Sequence, residues 1–188
     1  MADAMREAGL VALRVFLRLA PMLLLAGCVT PPQTPDELRA GVRAGAMMTQ
    51  MKTVEIDRSV SAVFKSLRAN ADKCLNVTIV GSTPGTYGPV VESTTYRSTS
   101  RMVNKGTGET VLQQDARATG RMPPGGYYVL VADTEALSGQ KSRVTIYGAS
   151  VGYDDVFEAI MTWAKGRPHE CPAIAGPRMG RDYRYHNR

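Results

Sequence analysis

The sequence predicts an α+β fold, in which two helices cover one face of an antiparallel sheet of about five strands in two layers. Two segments of the chain have apolar residues at helical spacing, and between them lie segments rich in β-branched and aromatic residues with glycine-containing turns. The predicted order is strand, helix, four or five strands, helix. This order allows the sheet to bury one face against both helices.

The first predicted strand covers residues 51–56, where polar and apolar side chains roughly alternate. Ser59 follows and has a side chain suited to cap the N-terminus of a helix. The helix that it begins has its apolar residues on one face, at Val60, Val63, Phe64, Leu67, Ala71 and Cys74. We expect this face to pack on the sheet, with Cys74 on the buried side.

The middle of the chain predicts a short strand and two hairpins. The strands are expected at residues 77–80, 90–104, 109–119, 127–137 and 142–149. Lys105-Gly106-Thr107-Gly108 turns the first hairpin, and Ser138-Gly139-Gln140 turns the second. Residues 122–126, Met-Pro-Pro-Gly-Gly, are predicted as a turn or a bend at the edge of the sheet.

The last predicted element is a helix over residues 153–165. Asp154 and Asp155 suit the positive end of its dipole, while Gly166 and Pro168 end it. Its apolar face consists of Val156, Phe157, Ile160, Trp163 and Ala164. The start and stop signals agree with the apolar periodicity.

The element order across residues 51–168 resembles that of helix-grip domains. These include a domain of an accessory lipoprotein of outer-membrane protein assembly and domains of lipid-binding proteins. The resemblance rests on element order alone and transfers no functional residue to this chain. It implies two places for a partner, an exposed sheet edge and the groove between the C-terminal helix and a curved sheet.

The first 27 residues are predicted to be a signal peptide. Arg6, Arg14 and Arg18 precede a short apolar run over residues 19–26, which ends at Gly27 and Cys28. A run of this length is too short to span the hydrocarbon core of a bilayer, which takes roughly 20 apolar residues. Short apolar runs followed by small residues are typical of secretory signals.

Leu25-Ala26-Gly27-Cys28 resembles the lipobox of bacterial lipoproteins. The resemblance implies cleavage between Gly27 and Cys28, with a diacylglyceryl group on the Cys28 thiol and acyl chains such as palmitate as the membrane anchor. Val29 after the cysteine implies an outer-membrane location facing the periplasm of a Gram-negative envelope. The alternatives are a plain secretory signal with an incidental cysteine, and an apolar core helix.

The mature chain divides into three predicted parts. Residues 28–50 are expected to form a lipidated, flexible tether, since three prolines lie between Pro31 and Pro35. Residues 51–171 form the α+β domain, and residues 172–188 form a basic tail expected to be disordered. Near the end of the tether lie three methionines, Met47, Met48 and Met51, whose thioethers are a type of ligand that copper prefers. No fourth soft ligand lies nearby, so a linker or a packing segment is favoured over a copper site.

Two cysteines remain once Cys28 carries lipid, and the signal peptide places them in an oxidising compartment. We therefore predict a disulfide between Cys74 and Cys171. A redox or nucleophilic thiol is the alternative, with His169 as the nearby base, although the sequence has no Cys-x-x-Cys motif.

No catalytic, metal-binding or cofactor-binding residues are predicted, so the protein is not expected to be an enzyme. His169 and His186 are the only histidines and offer no zinc-ligand spacing, and no Gly-x-Ser-x-Gly elbow is present. Asp154, Asp155 and Glu158 are better explained by helix capping and exposure than by acid-base chemistry.

The tail combines basic and aromatic side chains, at Arg178, Arg181, Tyr183, Arg184, Tyr185 and Arg188, within a chain of net charge +6. In the periplasm this composition predicts no nucleic-acid partner. It favours binding of the tail to anionic envelope polymers or lipid headgroups, and the alternative is a solvated, disordered tail.

The expected function is that of a non-catalytic envelope binding or assembly-accessory module. The module is expected to bind the membrane through its lipid and, separately, to bind an envelope protein partner. The alternatives are a carrier of a small apolar ligand or lipid, and an envelope hydrolase.

Overall fold

The structure, a computed structural model, describes residues 30–85, 88–116, 123, 125–174 and 184–187, with side chains at all of these except 82–85, 88–92 and 184–187. The compact unit that contains the sheet begins at Pro32. Gly27 and Cys28, the predicted cleavage and lipidation residues, lie outside the described residues. In the described part of the chain, no helix is long and apolar enough to cross a membrane.

The predicted α+β class is confirmed, with one antiparallel sheet and helices packed on it. The strands are β1 Thr49–Ile56, β2 Val77–Gly85, β3 Gly88–Asn104, β4 Thr107–Ala116, β5 Tyr127–Ser138, β6 Lys141–Ala149 and the short β7 Arg184–Asn187. The helices are α1 Pro35–Arg43, α2 Val60–Cys74 and α3 Asp154–Ala164. The strand order in the sheet is β1-β6-β5-β4-β3-β2-β7, so that β1 and β7 are the two edges.

The core lies between the sheet and the helices α2 and α3. Ser59 accepts a hydrogen bond from the Ala62 N–H and caps α2, as predicted. The apolar faces of both helices meet inward-pointing strand residues, and the largest fully buried side chains include Trp163, Tyr96, Phe157, Leu67, Leu112, Leu130 and Ile146. This layer is the one that the sequence patterns predicted.

The helix α1 was not predicted, and it corrects the number of helices from two to three. It lies within residues 28–50, which were expected to form a flexible tether. Thr34 caps it by accepting a hydrogen bond from the Glu37 N–H, and Pro35 stands in its first turn, where a missing N–H has no consequence. It packs on the sheet face opposite α2 and α3, so the predicted two layers become three where α1 lies.

The strand count also exceeds the predicted five. Six long strands form the sheet, and the backbone of β7 adds a seventh by pairing with β2, from Val77 opposite Asn187 to Val80 opposite Arg184. Residues 184–187 belong to the tail that was expected to be disordered. In the structure their backbone pairs with β2 over four residues.

Candidate functional site

The edge strand β1 is the first candidate site. It pairs with β6 from Thr49 opposite Ala149 to Ile56 opposite Ser142, and no strand of the described part of the chain lies on its other side. An open edge presents backbone N–H and C=O groups that can pair with an added strand. β1 therefore offers a partner an extended surface of eight residues.

The side chains of β1 alternate between the two faces of the sheet. Met51, Thr53 and Glu55 are exposed on the face that carries α1, while Lys52 and Val54 are half-buried on the other face. The Lys52 ammonium lies 5.5 Å from the centre of the Phe157 ring. Charged side chains on an edge strand discourage indiscriminate pairing, because an added strand must accommodate them.

Glu55 carries a fixed charge next to this edge. Arg143 Nη2 on β6 donates to Glu55 Oε1 at 2.9 Å. This hydrogen bond, chiefly, holds the pKa of the Glu55 carboxyl below its ordinary value. The edge therefore displays an ion pair on its exposed face, which favours a partner with polar side chains at the matching positions.

The helix α1 covers the middle of the opposite sheet face. Leu38 and Val42, four residues apart on one side of the helix, pack in a small apolar cluster that includes Val111, Val131 and Tyr147. Upstream of the helix, the Pro32 carbonyl accepts a hydrogen bond of 2.9 Å from the Tyr128 N–H. Both contacts fix the chain from residue 32 onward to the sheet.

A charge network, here called the Arg39 cluster, joins α1 to the same sheet face. Arg39 donates from Nε to Asp133 Oδ2 at 2.9 Å and from Nη2 to Asp133 Oδ1 at 2.6 Å. Arg39 Nη2 also contacts Glu109, and Nη1 donates to Asp36 Oδ1 at 2.7 Å. Arg101 Nε donates to the second oxygen of Glu109 at 2.8 Å.

The Arg39 cluster is arranged to hold structure. Burial of the Arg39 side chain works against its charge, but the hydrogen bonds that Arg39 donates to Asp133 and Glu109 outweigh this and raise the pKa of the guanidinium above its ordinary value. Both carboxylates have a cationic partner, and the planar guanidinium binds Asp133 with two parallel hydrogen bonds. A fully paired network of this kind positions α1 and leaves no carboxylate free to act as a base.

The groove between α3 and the sheet, which the helix-grip resemblance suggested as a binding place, is filled by side chains. Val156, Phe157, Ile160 and Trp163 have at most 1% of their surface exposed. Gly148 lies so close to this helix that a Cβ added there would approach the Phe157 ring to 3.2 Å. The described residues therefore leave no open channel along α3 for a ligand.

A buried tyrosine pair lies next to the N-terminus of α3. Tyr153 Oη donates to Gln114 Oε1 at 2.7 Å and approaches Tyr96 Oη at 3.4 Å. Burial, followed by the nearby Tyr96 hydroxyl, raises the pKa of Tyr153 above its ordinary value. The hydroxyl stays protonated at any physiological pH, so it serves as a core hydrogen-bond donor and not as a base.

A depression of about 340 Å³ opens along α2, lined by Phe64, Lys65, Arg68, Ala69 and Asp72. These five residues belong to one helix, so the depression gathers no polar groups from other elements. It lacks the converging side chains that orient a small ligand.

The predicted disulfide between Cys74 and Cys171 is present, with a Cα–Cα distance of 5.0 Å. It joins the end of α2 to the segment that follows α3, and Ile174, three residues farther on, is buried in the core. His169, the base considered for a thiol reaction, is directed elsewhere, since its Nδ1 lies 2.6 Å from the Glu170 carbonyl oxygen. The structure places both thiols in one bond.

The other candidate residues from the sequence do not come together in a common site within the described part of the chain. Asp154 and Asp155 begin α3, as predicted, and Asp154 Oδ1 accepts a hydrogen bond from Gln50 Nε2 on β1. No group of three or more metal-ligating side chains occurs among the described residues. Arg178 and Arg181 lie outside them.

Sequence reasoning missed α1 and the Arg39 cluster. Thr34, Pro35, Asp36 and Glu37 together form a helix-start signal that could have identified α1. No sequence signal could have paired Arg39 with its two carboxylates, because Glu109 and Asp133 follow it by 70 and 94 residues.

The sequence matches no protein-family model, and no curated protein is significantly similar to it. Among solved structures, a hypothetical protein from Helicobacter pylori is similar over 74% of this chain and 96% of its own length, with 8% sequence identity and a TM-score of 0.40. At this identity and TM-score the likeness does not indicate a function.

Proposed function

We propose that this protein is a lipid-anchored lipoprotein of the Gram-negative outer membrane that faces the periplasm and acts as a non-catalytic binding or assembly-accessory module. In this proposal Cys28 carries the lipid after cleavage behind Gly27. A protein partner binds along β1 by adding a strand to the sheet. The order from β1 to α3 resembles that of helix-grip domains, and in this proposal the basic tail adds affinity for anionic envelope polymers or lipid headgroups.

β1 and the groove along α3 differ in what they leave open to a partner. The backbone of β1 is open on one side, whereas the groove is filled by Phe157, Ile160 and Trp163. A lipid carrier needs an apolar cavity of a few hundred Å³ inside the fold. The packing along α3 therefore favours the strand-addition site over the alternative of a carrier.

The anchor is tested by metabolic labelling with palmitate. We expect the label to be lost in Cys28→Ser, with the protein released from the membrane fraction into the soluble periplasm. Gly27→Ala, which keeps a small residue before the cysteine, serves as the control and should retain both label and membrane location. Membrane retention of Cys28→Ser would refute lipid anchoring.

The partner site is tested by a photo-cross-linking residue placed at Thr53 of the full chain in living cells. We expect one discrete cross-linked protein from this position on β1. Glu135, an exposed residue of the inner strand β5, is the control and should not yield that product. The same product from both positions, or none from Thr53, would contradict binding along β1.

A further inference from the structure

Four residues with exposed apolar side chains lie at the end of the sheet where β1 begins and β6 ends. Met47, Met48, Met51 and Val151, here called the methionine patch, expose between 45% and 86% of their surface. Thr49 pairs with Ala149, and the Met48 carbonyl accepts a hydrogen bond of 2.8 Å from the Ser150 N–H. These contacts place Val151, the residue after Ser150, close to the backbone of Met48. Methionine side chains are flexible and polarisable, so they adapt to irregular apolar surroundings.

Met48 also has an unusual backbone conformation. Its φ of +59° makes it the only non-glycine residue in the left-handed region within the described part of the chain. Side chains are disfavoured in this conformation, which glycine adopts without strain. A large apolar side chain is thus held in solvent at a position where a glycine would fit better, and strain of this kind is often found at functional positions.

The methionine patch lies at the end of the sheet where the chain enters the compact unit. The Pro32 carbonyl accepts a hydrogen bond from the Tyr128 N–H at the start of β5. The Met48 carbonyl accepts one from the Ser150 N–H just after the end of β6. Because β5 and β6 are antiparallel neighbours, with Leu130 opposite Gly148, both contacts are at the same end of adjacent strands. Adjacent strands are about 5 Å apart.

Exposure alone does not select this end of the sheet. Met102, Val103 and Leu137 are also exposed, and they lie near the two hairpin turns at the opposite end. Leu137 is nine residues along β5 from Tyr128, or about 30 Å away. The four residues from Cys28 to Pro32 can extend at most about 14 Å. A lipid at Cys28 would therefore keep the methionine patch, and not the opposite end, near the bilayer.

We infer that the methionine patch inserts into the headgroup and acyl boundary of the membrane and thereby fixes the orientation of the domain. This inference rests on the proposed lipid at Cys28. The charges at this end oppose one another, since Arg43 is accompanied by Asp154 and Asp155, all exposed. Contact with the bilayer therefore depends on apolar burial, and it requires neither anionic lipid nor low salt.

The test uses the full lipidated chain in phosphatidylcholine vesicles. Since Cys28 carries lipid and Cys74 is bonded to Cys171, Met48→Cys provides a single free thiol for a polarity-sensitive dye. We expect a blue shift and severalfold stronger quenching by nitroxide-labelled lipid than for the same dye at Leu137→Cys. Leu137 is a matched control, because it is also apolar and exposed but lies at the far end. The quenching should not change with salt.

A patch variant separates insertion from folding. Met48→Gly relieves the left-handed strain, and Met47→Gln with Met51→Gln removes the neighbouring apolar contacts. In this triple variant we expect unchanged flotation with vesicles and an undiminished melting temperature. Quenching of a dye at Val151→Cys should fall to the level seen at Leu137→Cys.

Each other outcome overturns the inference in a distinguishable way. Equal quenching at Met48 and Leu137 in protein that floats with the vesicles refutes insertion and leaves the anchor intact. Shielding of the Met48 dye in native envelopes but not in protein-free vesicles assigns the patch to a protein partner. Flotation that is absent, or that persists in Cys28→Ser, refutes the anchor and the inference together.

Discussion

Arg39 of α1 and Asp133 of β5 form a two-point salt bridge that fixes the N-terminal segment of the compact unit to the sheet. The Arg39 side chain is 14% exposed, and the Asp133 side chain is 17% exposed. The bridge connects residues that are 94 positions apart in sequence. It therefore strengthens a long-range contact that is otherwise held by the small apolar cluster around Leu38 and Val42 and by the hydrogen bond between Pro32 and Tyr128.

Replacing Arg39 by Met should destabilise the protein by about 3 kcal/mol, since Asp133 and Glu109 would lose a cationic partner while staying largely buried. Urea-induced unfolding at neutral pH measures this change in the free energy of unfolding. Arg68→Met is the control, because Arg68 is exposed and contacts Asp72 at 3.8 Å. We expect this control to change stability by less than about 0.5 kcal/mol. Equal effects would show that the Arg39 cluster contributes no more than a surface pair.

The buried hydroxyl of Tyr153 should lower the free energy of unfolding at alkaline pH. Burial raises its pKa in the folded state, while the unfolded hydroxyl titrates near its ordinary pKa of 10.0. Above pH 10 the folded state therefore holds more protons than the unfolded state, and the free energy of unfolding declines as pH rises. The stabilising contribution is complete below pH 10 and decreases above it by about 1.4 kcal/mol per pH unit.

Comparison with Tyr153→Phe isolates this effect. At pH 7 the wild type should be more stable by about 1 kcal/mol, because the variant lacks the hydrogen bond to Gln114. Above pH 10 the difference should shrink and then reverse. Tyr127, whose pKa is also raised by burial, is present in both proteins, so its contribution cancels. Parallel pH profiles from urea unfolding would contradict the assignment.

The sequence was sufficient to predict the elements whose side chains repeat with one period over a long segment. In α2, five of the six residues of the predicted face are buried and Val60 is half-buried, because fifteen residues present several turns of one pattern. The buried five are Val63, Phe64, Leu67, Ala71 and Cys74. In α1, only Leu38 and Val42 are buried, and two residues cannot establish a period. The prolines before α1 led to the prediction of an extended tether. The segment is helical instead, because Leu38 and Val42 can then pack on Val131 and Tyr147.

The candidate site was predictable only in its general location. An exposed sheet edge was one of two expected partner sites, but its assignment to β1 depends on how strands distant in sequence are ordered. Thr49 pairs with Ala149, one hundred residues later, and local patterns contain no information on such a pairing. The disulfide was predicted because the cysteine count and the expected compartment left a single pair.

The disulfide should contribute strongly to stability. It joins residues 97 apart in sequence, and closing a loop of this size lowers the entropy of the unfolded chain by an amount equivalent to about 4.7 kcal/mol. Cys74→Ala combined with Cys171→Ala should lower the midpoint of urea unfolding accordingly. A reductant should produce a comparable loss in the wild type and none in the double variant. Two reactive thiols in the oxidised wild-type protein would contradict the bridge.

Gly126 should tolerate no side chain, because the chain approaches β4 too closely there. Its φ is +79°, and a Cβ would lie 2.0 Å from the Gln114 carbonyl oxygen and 3.0 Å from the Asp115 Cα. Gly125 is a matched control with a φ of +87° and no atom within 4 Å of the added Cβ. The two alanine variants therefore share the backbone strain and differ in the steric clash.

Gly125→Ala should cost about 1 to 2 kcal/mol, the usual penalty of the left-handed conformation. Gly126→Ala should cost at least about 2 kcal/mol more, since backbone atoms of β4 must move to admit the methyl group. That movement displaces Gln114, which accepts the Tyr153 hydrogen bond, so the near-ultraviolet circular dichroism of the tyrosines should change in Gly126→Ala alone. Equal stability of the two variants would show that the approach of Gly126 to β4 is looser than 2.0 Å implies.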